Sequence, residues 1–109
     1  MSTIEDFNKI DIRVGTIIKA EKNKKAKIPA YKLTIDFGNL IGIKTSSAQI
    51  TDNYDLEQLI GVQVIAVVNF PPRQVANVMS EVLVLGIDSK QGIVLLQPAE
   101  NVENGNRIC

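Results

Sequence analysis

The amino-acid sequence predicts a mainly β fold, an antiparallel barrel with two short helices. Three observations support this prediction. Several runs of the chain are dense in β-branched and long apolar residues, most of them at the two-residue period of a strand. Turn-forming residues such as glycine and asparagine separate these runs. One segment with helical spacing stands between the third and the fourth strand-like run.

The first two predicted elements are a short helix and a long strand. The segment STIEDFNK has a serine and a threonine that can cap a helix, acidic residues in its first turn, and Ile4 and Phe7 on one face. The run IDIRVGTIIKAE then alternates apolar and polar residues, as a half-buried strand does. Gly15 within this run predicts a β-bulge or a sharp coil of the strand.

Two further strands and a second helix follow a lysine-rich loop. The run AYKLTIDFG predicts a strand with one apolar face, formed by Tyr31, Leu33, Ile35 and Phe37. GNL predicts a tight hairpin into a third strand, IGIKTSS. The segment ITDNYDLEQLIG changes to helical spacing, with an aspartate that can cap the helix and Gly61 to end it.

The later runs complete the predicted barrel and extend beyond it. In the run VQVIAVVNF, apolar residues occupy both of the alternating sets of positions, which predicts a strand buried on both faces. EVLVLGI and GIVLLQP predict two more strands, and Asn104-Gly105 predicts a hairpin before a last short strand. A helix between the third and fourth strands is the layout of an oligonucleotide/oligosaccharide-binding (OB) barrel. We therefore predict an all-β (mainly) OB-fold domain over residues 1–109.

Composition limits the location and class of the protein. The chain has 109 residues, of which 45% are hydrophobic and 22% charged, as in an ordinary globular domain. Its longest apolar run, Val64 to Val68, is far shorter than the roughly 20 residues of a membrane span. The N-terminus lacks the features of a signal peptide, and Cys109 is the single cysteine. We therefore expect a cytoplasmic protein with no membrane insertion and no intrachain disulfide.

The sequence offers little for catalysis or metal binding. Without histidine, and with one terminal thiol, the chain cannot assemble a Cys/His zinc site or a histidine-activated nucleophile. The carboxylates of Asp52, Asp55 and Glu57 are explained as helix-capping and first-turn charges. No glycine-rich phosphate-binding motif is present. We predict a non-enzymatic protein with no metal and no cofactor.

The positive charge is concentrated although the net charge is zero. Six of the twelve basic residues fall within fourteen positions, namely Lys19, Lys22, Lys24, Lys25, Lys27 and Lys32. Such a stripe can steer a phosphate backbone, but lysines also simply solvate exposed loops. The few aromatic residues fall in apolar alternation, so RNA recognition is expected to use folded shape, phosphates and 2′-hydroxyls instead of base stacking.

Two segments are candidate binding surfaces. TSSAQI brings hydroxyls and an amide to the end of a strand, where they can bind ribose, phosphate or peptide groups or form a local turn. NFPPRQVANVMSE separates two core strands and is longer than a turn needs to be. Pro71 and Pro72 cannot donate ladder hydrogen bonds, so they end the preceding strand and stiffen the segment that follows.

Four motifs in order resemble the tRNA-binding domain family: IDIRVGTIIKAE, SSAQI, LIGVQVIAVVNFPPR and SEVLVLG. That family also furnishes the C-terminal appendix of some methionyl-tRNA synthetases. The spellings DFGNLIGIKTSSAQIT and VIAVVNFPPRQVA resemble its stand-alone, export-related chaperones. The resemblance implies an OB barrel whose extra C-terminal strands form a homodimer. It also implies two kinds of ligand, the outside corner of tRNA and unfolded preproteins.

The resemblance implies a binding surface carried by the matching motifs. Carried over by motif, this surface comprises Ser46, Ser47, Gln49, Phe70, Pro71, Pro72, Arg73, Ser80 and Glu81. The chain departs from the family where tRNA-binding relatives carry further basic residues after the Pro-Arg pair, because QVANVM stands there. Each lost phosphate contact removes up to about 0.9 units of salt slope, so this segment is a weaker RNA clamp.

The same departure gives the segment an apolar character. Val75, Val78 and Met79 form a predicted apolar lip, and methionine suits promiscuous peptide contact. The alternative is that Val78 and Met79 pack back into the core.

These observations predict a homodimeric chaperone that holds unfolded preproteins or peptides, with Ile4, Phe7 and residues 93–108 at the dimer interface. The alternative is a tRNA-binding protein in which the Lys19–Lys32 cluster, Lys44 and Arg73 contact phosphates. An assembly module without a ligand of its own is a third hypothesis.

Overall fold

The computed structural model describes residues 1–109 and contains nine strands and two short helices. In chain order these are α1 (Ile4–Asn8), β1 (Ile12–Lys22), β2 (Tyr31–Asp36), β3 (Ile43–Ala48), α2 (Leu56–Leu59), β4 (Gln63–Val67), β5 (Arg73–Val75), β6 (Val78–Ser80), β7 (Leu83–Val84), β8 (Gly86–Ser89) and β9 (Gly92–Leu95). One antiparallel sheet has the order β3-β2-β1-β4-β7, and β5–β6 and β8–β9 form separate two-stranded sheets. The large sheet curls into a nearly closed barrel, so the predicted OB-type fold is confirmed.

The N-terminal helix α1 begins where the sequence predicts it. The Asp6 backbone N–H donates to Thr3 Oγ1 at 3.3 Å, and the Thr3 N–H donates to Asp6 Oδ2 at 3.0 Å, which completes a capping box. Ile4 and Phe7 are 66% and 37% exposed, so this chain leaves the apolar face of the helix uncovered. Neither helix of the chain is long and apolar enough to cross a membrane.

The long strand β1 pairs with β4 through its first half and with β2 through its second half. Its register with β2 shifts at Ile18, so the bulge lies there and not at Gly15, where the sequence predicted it. Gly15 is needed for packing instead. A Cβ atom at this position would lie 2.7 Å from Ile35 Cγ2 and 2.7 Å from Phe37 Cδ1. The side chains of Ile35 and Phe37 therefore pack directly against the β1 backbone at Gly15, where a Cβ atom would collide with them.

The barrel core is formed largely by residues that the alternation predicted. Tyr31, Leu33, Ile35 and Phe37 are all buried, which confirms the apolar face of β2. Helix α2 closes one end of the core with Leu59, which is fully buried, but Ile60 is 51% exposed and does not share this face. The helix has four residues, Leu56–Leu59, so Ile60 lies at its C-cap and not within it.

The connection between β2 and β3 is longer than the tight hairpin that the sequence predicted. The Phe37 N–H donates to the Gly42 carbonyl at 3.0 Å, and the Gly42 N–H donates to the Gly38 carbonyl at 2.7 Å. Both glycines have φ of 86°, in the left-handed region. Two left-handed glycines four positions apart give a wider loop than one glycine does.

The C-terminal part leaves the barrel and then returns to it. The predicted strand EVLVLGI is divided into β7 and β8, and β8 pairs with β9 outside the barrel. The tail then runs along the free edge of β1. The Gly105 N–H donates to the Val14 carbonyl at 2.8 Å, and the Ile108 N–H donates to the Ile12 carbonyl at 2.9 Å. The predicted last strand is thus a single β-bridge, between Arg13 and Arg107.

The segment after the proline pair forms a β-hairpin that the sequence did not predict. Strands β5 and β6 pair through Arg73 with Ser80, Gln74 with Met79 and Val75 with Val78. Two-residue hairpin turns usually contain glycine or Asn-Gly, whereas this turn is Ala76-Asn77. Ala76 has φ of 55° and is the one non-glycine residue in the left-handed region. The turn therefore lacks the glycine or Asn-Gly pair from which a hairpin is predicted in a sequence.

Candidate peptide- and RNA-binding surface

The motif residues of SSAQI and SEV meet at the seam that closes the barrel, between β3 and the end of β6. The Glu81 N–H donates to the Thr45 carbonyl at 2.8 Å. In return, the Thr45 N–H and Oγ1 donate to Glu81 Oε1 at 3.0 and 3.1 Å. The Ser47 N–H donates to Ser80 Oγ at 3.1 Å. Side-chain oxygens here replace the backbone acceptors of a regular ladder, so the first role of these residues is to close the barrel.

The seam limits which predicted site residues a ligand can reach. Ser46 is 1% exposed and therefore lies beneath the surface. Ser80 and Glu81 are half-buried, and their side-chain oxygens already accept hydrogen bonds from β3. Ser47 is half-buried, and Gln49, just beyond the strand, is exposed. Of this part of the predicted surface, Gln49 is the residue most open to a ligand.

The β5–β6 hairpin places the predicted apolar lip on two different faces. Alternate residues of a strand point to opposite sides, so Val75 and Val78 share one face and Gln74 and Met79 share the other. Val78 is buried at 5% exposure and Val75 is half-buried, whereas Met79 is 47% exposed. Of the predicted lip, Met79 is exposed, Val75 is half-buried and Val78 is buried. The alternative interpretation is therefore correct for Val78 and wrong for Met79.

The base of the hairpin is anchored to the start of the chain. Asn69 Oδ1 accepts from the Asp11 N–H at 2.9 Å, and Asn69 Nδ2 donates to the Lys9 carbonyl at 2.8 Å. The side chains that follow this anchor are exposed, namely those of Phe70, Pro71, Pro72 and Arg73. Arg73 takes part in no salt bridge. A rigid segment therefore presents one aromatic ring and one free cation to solvent.

A cleft of about 320 Å³ lies between the end of β3 and the strands β7 to β9. Leu83, Val84 and Ile93 form apolar parts of its wall, and Gln49 and Arg73 supply polar groups. Leu83 is 46% exposed, so much of its side chain is free to contact a ligand. Apolar walls with an amide and one cation suit an extended peptide segment with an apolar side chain.

A second candidate surface is the lysine loop, which we define as residues 23–30, with the flanking lysines. Lys19 and Lys32 lie 3.7 and 4.0 Å from Glu21, so part of their charge is compensated. Lysines without a carboxylate partner are Lys22, Lys24, Lys25 and Lys27. Four uncompensated charges within six positions form a strong local attraction for anions.

The lysine loop and the hairpin tip are neighbours. Asn23 Nδ2 donates to the Val75 carbonyl at 3.3 Å, and a cleft of about 320 Å³ is shared by Lys25, Lys27 and Ala76. In OB barrels, the loops between strands 1 and 2 and between strands 4 and 5 bind oligonucleotides together with the face of strands 2 and 3. The lysine loop and the hairpin occupy these two positions. Asn23 belongs to no motif, and no sequence pattern marks it as a functional residue.

Two of the predicted phosphate contacts lie apart from this cluster. Ala48 pairs with Tyr31 at the lysine-loop end of β3, whereas Lys44 lies four residues away, or about 13 Å along the strand. Arg73 stands at the base of the hairpin, beside the peptide-sized cleft. The cations predicted to contact phosphates therefore lie in three places, namely the lysine loop, Lys44 in β3 and Arg73 at the base of the hairpin.

The DIRVG motif performs a structural task. Arg13 Nε donates to Asp11 Oδ1 at 2.7 Å, and Arg13 Nη1 donates to the Gly105 carbonyl at 2.9 Å. Arg107 Nε lies 3.6 Å from the same Asp11 oxygen. This network holds the C-terminal tail on the edge of β1. No three acidic or cysteine side chains come close enough together to form a metal site.

A family comparison defines the class of the protein. Residues 12–107 match the family described as "Putative tRNA binding domain". The chain therefore belongs to the tRNA-binding domain family, as its motifs predicted. It is 38% identical over 107 residues to the methionine–tRNA ligase of Archaeoglobus fulgidus, and spans 16% of the length of that protein.

Two solved structures are similar to the chain over its whole length. The chain is similar to the CsaA chaperone protein from Picrophilus torridus, with a TM-score of 0.95 and 55% identity over 100% of both chains. It is also similar to chaperone CsaA from Bacillus anthracis, with a TM-score of 0.93 and 53% identity over 100% of this chain and 99% of that one.

Proposed function

We propose that this protein is a non-enzymatic, CsaA-like chaperone that holds unfolded preprotein or peptide segments in the cytoplasm. The observation that carries the proposal is the cleft between β3 and β7–β9, which combines apolar walls with Gln49 and Arg73. The exposed side chains of Phe70, Met79 and Leu83 extend the apolar area available to a client. Full-length similarity to proteins named CsaA chaperone supports the same proposal.

A client-binding experiment tests this proposal. Labelled unfolded segments of secreted proteins are titrated with the chain, and fluorescence anisotropy reports the affinity. Leu83→Glu places a charge on the cleft wall and is expected to weaken binding about tenfold, because an apolar contact is replaced by a desolvated carboxylate. Leu40→Glu is the matched control, since Leu40 is 88% exposed in the β2–β3 loop and outside the cleft. Equal losses in both variants, or none in either, would contradict the proposed site.

The proposed chaperone acts as a homodimer. Ile87 and Val94 are a directly opposed pair of the β8–β9 sheet and are 54% and 39% exposed. Ile4 and Phe7 leave a second apolar area uncovered at the N-terminus. A second copy of the chain that covers these faces would remove apolar surface from water. Sedimentation equilibrium at micromolar concentration is expected to give twice the chain mass, and Ile87→Glu with Val94→Glu a monomer. A monomeric wild-type mass would refute the dimer.

A second candidate function is the binding of structured RNA, for which tRNA is the test ligand. The observation in its favour is the group of uncompensated lysines beside the hairpin tip, at the two loop positions that OB barrels use for nucleic acid. Filter binding of tRNA across a salt series tests it. Each phosphate contact contributes about 0.7 to 0.9 to the slope of log affinity against log salt. Weak binding that does not depend on salt would exclude this function.

Competition shows whether the two candidate ligands share a surface. The cleft beside Arg73 and the lysine loop are different parts of the molecule, although Gln49 borders both. We expect tRNA and an unfolded preprotein segment to bind simultaneously, or to compete only partly. Full mutual displacement would place both ligands on one surface.

A further inference from the structure

Asn23 carries the one buried side-chain polar atom without a hydrogen-bond partner, which is Oδ1. The residue is 5% exposed, and all its other polar atoms are used. Its N–H donates to the Ala30 carbonyl at 2.9 Å, and its carbonyl accepts from the Ala26 N–H at 3.2 Å. Its Nδ2 donates to the Val75 carbonyl at 3.3 Å and faces Ser47 Oγ at 3.5 Å.

The neighbours of Asn23 determine the orientation of its amide. A flip of the amide would place Oδ1 against the carbonyl oxygen of Val75, and two acceptors repel each other. Oδ1 is therefore an acceptor for which the chain supplies no donor. Because buried polar groups are nearly always hydrogen-bonded, this atom calls for a donor from outside the chain.

Asn23 also lies between two clefts lined by lysines. The larger, of about 450 Å³, is bordered by Lys22, Lys24, Lys27 and Thr51. The smaller, of about 310 Å³, is bordered by Lys22, Lys24, Lys25, Lys32 and Asn77. Glu21 is the carboxylate that borders the smaller cleft, and it contacts Lys19 and Lys32. The unpaired acceptor thus lies beside Lys22 and Lys24, which have no carboxylate partner.

We infer that this junction is a ribose-phosphate site that distinguishes RNA from DNA: the lysines hold phosphates, and Asn23 Oδ1 accepts a hydrogen bond from a ribose 2′-hydroxyl. The inference rests on the RNA-binding candidate function above. Phosphate oxygens only accept, so a phosphate satisfies the lysines but not Oδ1. A 2′-hydroxyl donates, and RNA carries one beside every phosphate.

Two alternatives are weaker. A peptide also offers N–H donors, but it carries no anion repeated at each residue to match four unpaired lysines in six positions. A water molecule satisfies Oδ1 without using the lysines. Since Oδ1 is buried in the free chain, the residues that cover it have to move before a 2′-hydroxyl can reach it.

The test compares two forms of one tRNA-derived stem–loop, with 2′-hydroxyl or 2′-fluoro groups on every ribose. Both forms keep the A-form helix and the phosphates, but the fluoro form has no donor. The wild-type chain is expected to bind the hydroxyl form about five- to tenfold more tightly in an anisotropy titration. Equal affinities with normal salt dependence overturn the inference and leave RNA binding intact. Binding of neither form overturns the RNA-binding function itself.

Two variants assign the preference to its residue. Asn23→Leu is expected to bind both forms with equal affinity while its salt slope stays that of the wild type. Lys24→Gln is the matched control from the same clefts; it is expected to weaken both forms equally and to lower the slope by about 0.7 to 0.9. A preference retained in Asn23→Leu overturns the inference. If that variant does not fold, the wild-type comparison of the two RNA forms still decides the presence of a 2′-hydroxyl contact.

Discussion

The barrel seam and the lysine loop are two polar regions of the molecule whose side chains are used in opposite ways. At the seam, Glu81 and Ser80 accept hydrogen bonds from the backbone of β3, so their oxygens are occupied within the chain. In the lysine loop, four ammonium groups have no carboxylate partner and Asn23 Oδ1 has no donor. The seam is complete without a ligand, whereas the loop is not.

The residues of the family motifs have a structural role as well as a place in the candidate binding surface. The residues by which the chain resembles its family, in DIRVG, SSAQI and SEV, hold strands and the C-terminal tail together. Of the residues best placed to meet a ligand, Gln49, Arg73 and Leu83 of the cleft belong to family motifs, whereas the lysine loop and Met79 lie outside them. Family motifs thus supply both the frame, which is the barrel with its C-terminal tail, and part of the cleft, and the lysine loop adds a further candidate surface to that frame.

The largest effect on stability is expected from the frame, at Gly15. Gly15→Ala adds a Cβ 2.7 Å from Ile35 Cγ2 and 2.7 Å from Phe37 Cδ1, and both side chains are fully buried. Overpacking usually lowers the free energy of unfolding by about 1–3 kcal/mol, and a loss of about 3 kcal/mol or more is expected here because two fully buried side chains have to shift at once. Urea denaturation followed by circular dichroism measures the change. Ile18→Ala in the same strand is the control, because Ile18 is 45% exposed. A loss in Gly15→Ala no greater than in this control would show that the core relaxes around the methyl group.

Glu81→Ala breaks the seam and is expected to cost about 1.5–3 kcal/mol of unfolding free energy. The Thr45 N–H and hydroxyl both lose a charged acceptor, in a part of the barrel without a regular ladder. Glu81→Gln keeps a neutral acceptor at the same place and is expected to retain about half of the stability lost in the alanine variant. If glutamine costs as much as alanine in urea denaturation, the charge of Glu81, and not its hydrogen bonds, closes the seam.

The frame was largely predictable from the sequence because its signals are local. Alternation over a few residues identified β1, β2 and β3, and Tyr31 to Phe37 supplied the predicted buried face. The position of the β1 bulge was not predictable, because Gly15 serves a contact with Ile35 and Phe37 from a different strand. A bulge and a close approach of side chains leave the same signal in a sequence, namely a glycine within a strand.

The candidate site was less predictable, because exposure and pairing depend on the folded arrangement. In the sequence, one apolar group is formed by Val75, Val78 and Met79. In the structure, the turn at Ala76 places Met79 on the opposite face of the hairpin from the two valines. Asn23 is an ordinary loop residue until its amide is seen to join the hairpin and leave one acceptor unused. The lysines were identified from charge density, but their lack of carboxylate partners follows from the structure alone.

A smaller effect, and a gain, is expected at the hairpin tip. Ala76 has φ of 55°, where a side chain is strained and glycine is not, so Ala76→Gly removes strain and is expected to raise the unfolding free energy by about 0.5–1 kcal/mol. The gain is partly offset because glycine gives the unfolded chain more freedom. Asn77→Gly serves as the control, since Asn77 is exposed and has no left-handed φ to relieve. A loss of stability in Ala76→Gly would mean that the Ala76 methyl group contributes packing at the tip.

The smallest effect on stability is expected from the lysine loop, even when four residues are changed together. Replacing Lys22, Lys24, Lys25 and Lys27 with glutamine removes no salt bridge, so the unfolding free energy is expected to change by less than about 0.5 kcal/mol. Removal of neighbouring like charges favours a slight gain. The same variant is expected to lose most of the salt dependence of tRNA binding, while Glu81→Gln retains it. If the lysine variant instead unfolds more easily, these lysines hold the loop in place, and the contrast between a self-sufficient seam and an incomplete loop is lost.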